Sequence, residues 1–183
     1  MGQNNAIELR NVTKRFGAVV ANNDVSMDVR RGEILSLLGE NGSGKTTLMN
    51  MIAGIYFPDS GEIFIDGKEV VIRSPQDAYK YHIGMIHQHF KLVEAFRAMD
   101  NIVLGTKGKK EKAKVTSEKI KAISETYGLE IEPEKYVSDM SVSEKQTVEI
   151  LKVLYKGAEI LILDEATAAL DVSVQKNIIE LIV

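Results

Sequence analysis

Apolar side chains alternate with polar ones at Ile7, Leu9 and Val12 and again at Val25, Met27 and Val29, the period-two pattern of half-buried strands. The run Glu33-Ile34-Leu35-Ser36-Leu37-Leu38 is almost continuously apolar and of strand length, and Thr46 to Ala53 is built of helix formers. A buried strand feeding a helix is predicted there. Gly61 to Gly67 reads as another strand closed by an Asp66-Gly67 turn. Ser74 as N-cap and Pro75 at the first helical position predict a short helix to Tyr81, followed by a strand over Ile83 to His87. From about Met99 to Tyr155 the periodicity turns helical, with a lysine-rich interruption at Lys107 to Lys114. That interruption has no interleaved aromatics, so it reads as a solvated loop or exposed helix face and not as a nucleic-acid surface. Ile160 to Leu163 is a fully apolar strand, and Ser173 to Val183 begins another helix. Strands alternating with helices predict an α/β fold with a mostly parallel sheet and a helical insert.

Composition narrows the picture by exclusion. The chain has 183 residues, 44% hydrophobic and 27% charged, which suits a globular domain with a real core. A net charge of −3 offers no footprint for nucleic acid or an anionic membrane. Cysteine is absent, so thiolate metal sites and disulfides are unavailable, and a reducing compartment fits. Met1-Gly2-Gln3-Asn4-Asn5 does not read as a signal peptide, and no apolar run approaches the ~18 residues of a membrane span. Work at a membrane would require another chain to cross it.

The chemistry is concentrated at Gly39-Glu40-Asn41-Gly42-Ser43-Gly44-Lys45-Thr46, which fills the phosphate-loop pattern G-x-x-x-x-G-K-S/T without a mismatch. Chance would produce it on the order of once in a few hundred proteins of this length. The glycines allow a tight turn that aims successive backbone N–H groups inward, and the helix beginning near Lys45 adds its unpaired donors and positive dipole end. Lys45 is expected to reach the β- and γ-phosphates, Thr46 to place its hydroxyl on Mg²⁺, and Thr47 to complete the cradle. Downstream, Ile160 to Leu163 runs into Asp164-Glu165; Asp164 is expected to hold Mg²⁺ through water and Glu165 to orient the attacking water.

With both motifs in place, the chain resembles the ATP-binding cassette (ABC) family over nearly all its length. The resemblance implies a P-loop NTPase with an amino-terminal antiparallel β subdomain, a catalytic core over about 5–90 and 156–183, and a helical subdomain over about 91–155. It makes Phe16 the adenine-stacking aromatic, Gln88 the glutamine that touches Mg²⁺ and relays to a membrane partner, and Ala168-Ala169-Leu170-Asp171 the D-loop. Lys45, Gln88 and Glu165 would be the catalytic residues. His87-Gln88-His89-Phe90-Lys91-Leu92-Val93 and Val148-Glu149-Ile150-Leu151-Lys152-Val153-Leu154 are similar to the ATPases of nucleoside and simple-sugar importers. The implied partners are a second cassette, as homodimer or tandem half, membrane-spanning permease subunits, and indirectly an extracytoplasmic solute-binding protein. The implied location is the cytoplasmic face of the cell membrane.

Two departures from the family stand out. The signature Leu-Ser-Gly-Gly-Gln is here Met140-Ser141-Val142-Ser143-Glu144. Ser141-x-x-Glu144 predicts a capping box, so the helix is expected to form. Ser143 replaces a glycine and Glu144 brings a negative charge toward a triphosphate, with Lys145 a candidate to offset it. Since signatures act on the partner's nucleotide, with Ser141 and Ser143 as the contacts, an asymmetric pair of sites is expected. The family also carries a switch histidine beyond the helix starting at Ser173, whereas His82, His87 and His89 all lie upstream. A cassette lacking its carboxy-terminal part, with weak or absent turnover by itself, is the expectation. A nucleotide-binding fragment without turnover and a soluble, non-transport ABC protein are the alternatives.

Overall fold

Strands β1 (Asn5–Phe16) and β2 (Val19–Arg30) form a long antiparallel hairpin in the computed structural model, which describes residues 5–87, 90–106 and 112–163. The alternation seen in the sequence is the reason: Ile7, Leu9 and Val12 point to one face and are buried. On the other edge of β1 lies β3 (Ser60–Ile65), with Ile7 opposite Ile65 and Leu9 opposite Ile63, and all four side chains are buried. These cross-strand pairs set the register, because a slip of one residue would turn them to solvent. The hairpin from β3 to β4 (Lys68–Val70) turns at Asp66 and Gly67, both left-handed at φ 49° and 72°, as a two-residue turn of this kind requires. The four-stranded order is β2-β1-β3-β4, antiparallel throughout.

Helix α1 (Lys45–Ile52) and helix α2 (Pro75–Lys80) complete the unit that runs to Gly84. The start of α2 is as predicted: the Ser74 hydroxyl accepts from the Asp77 N–H, and Pro75 sits in the first turn. The Glu33 to Leu38 run departs from expectation. It forms no ladder among the described residues, and Ile34, Leu35 and Leu38 are exposed, Leu38 to 94%. An apolar run becomes a strand only when its N–H and C=O groups find a partner strand, which hydropathy along the chain does not reveal.

The second unit begins at Met85. Helices α3 (Ala98–Val103), α4 (Ala113–Thr126) and α5 (Val142–Tyr155) pack on one another, with Ile102, Ile120, Val148, Ile150 and Leu151 fully buried. Burial of such a side chain stabilises by about 1.5–3 kcal/mol, which holds short helices that would be marginal alone. Strand β5 (Ile83–Ile86), at the boundary of the units, is the neighbour of β6 (Ile160–Leu163) in a two-stranded sheet. The three helices between them provide the crossover that parallel neighbours need.

Candidate nucleotide-binding site

Glycine geometry shapes the loop from Gly39 to Thr46. Gly42 and Gly44 have φ of 83° and 88°, and a Cβ on Gly44 would lie 2.2 Å from the Ala21 carbonyl oxygen in β2. Only glycine tolerates that backbone and that approach. The Ser43 N–H closes a turn on the Glu40 carbonyl at 3.2 Å, so Asn41 and Gly42 form the bend. Lys45 folds back across the loop, its ammonium donating to the carbonyls of Gly39 at 2.7 Å and Glu40 at 2.9 Å. No side chain caps α1, which opens at Gly44, and no acid occupies its first turn, where Thr46 and Thr47 sit. A glycine cradle, a lysine across its mouth and an uncapped helix start make a set of groups that fits a phosphate.

Phe16 ends β1 and is 43% exposed. The Tyr56 ring meets it edge-on at 5.1 Å, and the Lys14 ammonium lies 5.5 Å from its centre, tethered by Asp59 at 2.9 Å. Hydrogen bonds from Lys14 and from the Arg15 N–H hold the Asp59 carboxyl below the usual range. The ring is therefore oriented while remaining open to a stacking partner. Sequence reading missed Tyr56, because its role depends on a contact with a residue forty positions away.

The segment Met140 to Glu144 starts α5 with the expected capping box: the Ser141 hydroxyl accepts from the Glu144 N–H, and the Glu144 carboxylate accepts from the Ser141 N–H at 2.7 Å. The expected role of Lys145 is corrected. Its ammonium reaches Glu94 at 3.0 Å, and the cation on Glu144 is Lys135 at 2.6 Å. Lys135 and the Ser141 N–H hold the Glu144 carboxyl down to about 2. The reason is geometric: the capping box turns the carboxylate back over the N-cap, toward the segment before the helix that carries Lys135. Ser143 is exposed in the first turn.

Beyond β5, the backbone of Lys91 is held from α5. Glu149, buried, accepts the Lys91 N–H at 2.7 Å, while the Lys152 ammonium donates to the Lys91 carbonyl at 3.0 Å. Buried Asn101 of α3 makes a matching pair of bonds with the Val93 backbone. Gln88, His89, Asp164, Glu165 and Ala168 to Asp171, and the helix predicted from Ser173, lie outside the described residues.

A glycine phosphate loop opening a helix, in a chain with an antiparallel β subdomain, a parallel sheet and helices, defines a P-loop nucleotide-binding α/β protein. More narrowly, the chain belongs to the ABC transporter family, whose pattern matches residues 22–168, and ATP is the nucleotide of that family. It is 50% identical over 173 residues to the nucleoside import ATP-binding protein NupA of Lactococcus lactis, covering 93% of this chain and 34% of NupA. With the guanosine import ATP-binding protein NupO of Bacillus subtilis it shares 48% identity over 167 residues, 90% of this chain and 33% of NupO. Among solved structures, the dimeric ATP-binding cassette MJ0796 bound to ADP and phosphate superposes with a TM-score of 0.76 at 25% identity, covering 96% of this chain and 80% of the cassette. The chain spans about a third of the length of the curated relatives it matches.

Proposed function

We propose that this chain is the ATP-binding portion of an ABC importer, which couples ATP binding and hydrolysis to uptake of a small solute, a nucleoside in preference to a simple sugar. The observation that carries the nucleotide part is the loop from Gly39 to Thr46, with Lys45 laid across it. The solute class rests on the similarity to nucleoside and guanosine import proteins.

In this reading the Lys45 ammonium exchanges its two backbone carbonyls for phosphate oxygens, and the loop N–H groups take the remaining charge. Phe16, with Tyr56 at its edge, stacks on adenine. Thr46, Gln88 and Asp164 would hold Mg²⁺, which neutralises phosphate charge when bound. Glu165 orients the water, and Gln88 links the site to the membrane partner. Ser141 and Ser143 face the nucleotide of a second cassette, so the assembled importer carries two unlike sites. A core over about 5–90 and 156–183 and a helical subdomain over about 91–155 divide this work. No helix among the described residues is long and apolar enough to cross a membrane. In this reading permease subunits supply the pathway and the cassette docks on their cytoplasmic side.

The test is titration of the chain with Mg-ATP alongside Lys45→Ala. Loss of binding in the variant, with its fold intact by circular dichroism, is expected; equal affinity overturns the nucleotide assignment. Nucleoside uptake by cells expressing the complete importer, and its loss with the same substitution, tests the solute.

A further inference from the structure

Asn22 is a buried polar side chain near the start of β2, 7% exposed, where burial of an amide costs free energy unless it is hydrogen-bonded. Its amide nitrogen donates to the Gly44 carbonyl at 3.2 Å. Because that carbonyl can only accept, the nitrogen must be the atom that faces it, which leaves the Asn22 oxygen on the other side. That oxygen is buried and has no hydrogen-bond partner among the described residues. A buried acceptor left unpaired costs stability, so Asn22 calls for an explanation in what its amide nitrogen does.

We propose that Asn22 is a positioning residue of the phosphate loop, setting the direction of the Lys45 N–H toward the β-phosphate of the bound nucleotide. The inference rests on the nucleotide reading of that loop. The Gly44 carbonyl accepts twice, from the Leu48 N–H at 2.9 Å along the helix and from Asn22 at its side. Two donors on one oxygen fix the plane of the Gly44–Lys45 peptide. In a trans peptide the carbonyl and the following N–H point in opposite directions, so pinning the oxygen on β2 turns the Lys45 N–H away from the strand. The Ala21 carbonyl, 2.2 Å from where a Gly44 Cβ would stand, closes the floor beneath the same peptide. β2 therefore works as a rear support for the loop as well as an edge of the sheet.

The experiment compares ATP, ADP and AMP binding by the whole chain and by Asn22→Asp, Asn22→Leu and Lys45→Ala. Aspartate keeps the shape of the side chain but presents only acceptors to the Gly44 carbonyl. Leucine keeps the volume and removes both the donor and the unpaired oxygen. Both are expected to weaken ATP and ADP about tenfold, as for loss of one well-placed hydrogen bond, and to change AMP, which has no β-phosphate, less than twofold. The leucine variant is expected to melt no lower than the parent, so affinity falls without a loss of stability. Should aspartate prevent folding, the leucine variant decides. ATP affinity within twofold of the parent in the folded variants, or an equal loss for all three nucleotides, overturns the positioning role. If Lys45→Ala abolishes binding in the same series, the nucleotide reading survives that failure. If Lys45→Ala is also without effect, both fall.

Discussion

Two helix starts in this chain solve the same physical problem in opposite ways. Every α-helix begins with backbone N–H groups that have no partner within the helix. At α5 the chain supplies the partners itself, through Ser141, Glu144 and, behind them, Lys135. At α1 no side chain caps the first turn, no acid occupies it, and Gly44 bends the approach so that the helix opens onto the loop from Gly39. The first arrangement gives stability; the second leaves binding capacity for an anion. The comparison also recasts the substituted signature. Glu144 is already paired with Lys135 within its own unit, so under the proposed dimer its effect on a partner's nucleotide would be smaller than its formal charge implies.

The largest effect that would break the contrast lies at α1. Gly44→Ala forces a Cβ into the left-handed region, at about 1–2 kcal/mol, and onto the Ala21 carbonyl. ATP affinity is expected to drop about a hundredfold, or about 3 kcal/mol, in isothermal titration. An unaltered affinity would mean that the loop is not the binding element.

The corresponding change at α5 should act on stability. Replacing Ser141 with alanine removes a cap and is expected to cost about 1 kcal/mol in urea unfolding. Acid should do related damage through Glu144. Its folded carboxyl is held to about 2 against an ordinary 4.5, so its contribution is complete above pH 4.5 and is lost as pH falls toward 2. Because the side chain is more than a third exposed, solvent screens the effect and keeps it modest. A Glu144→Gln variant should lose less stability than the parent across that interval; parallel curves would show that Lys135 contributes nothing.

Smallest of all is Lys145→Ala. Its partner Glu94 is largely exposed, so a change of about 0.5 kcal/mol or less is expected in the same unfolding assay, with the acid behaviour of Glu144 unaltered. A shift in that acid curve would return Lys145 to the role first expected of it.

What the sequence made legible was chemistry that acts over a few residues. The phosphate loop, the Asp66-Gly67 turn, the Ser74-Pro75 helix start and the capping box each depend on neighbours within a turn or two. Side chains whose meaning comes from distant partners were not legible. Asn22 gains its role from Gly44, Tyr56 from Phe16, Glu149 from the backbone of Lys91, and Lys145 meets Glu94 rather than the adjacent Glu144. The Glu33 to Leu38 run failed for the same reason in reverse, since its apolar pattern was clear and the ladder partner it needed is not among the described residues.

Both backbone polar groups of Lys91 end on side chains of a single helix, the N–H on Glu149 and the carbonyl on Lys152. Hydrogen exchange at that amide is thus a clock for α5: the proton can leave only when the helix lets go, and its exchange rate counts how often the helix and the segment after β5 part company.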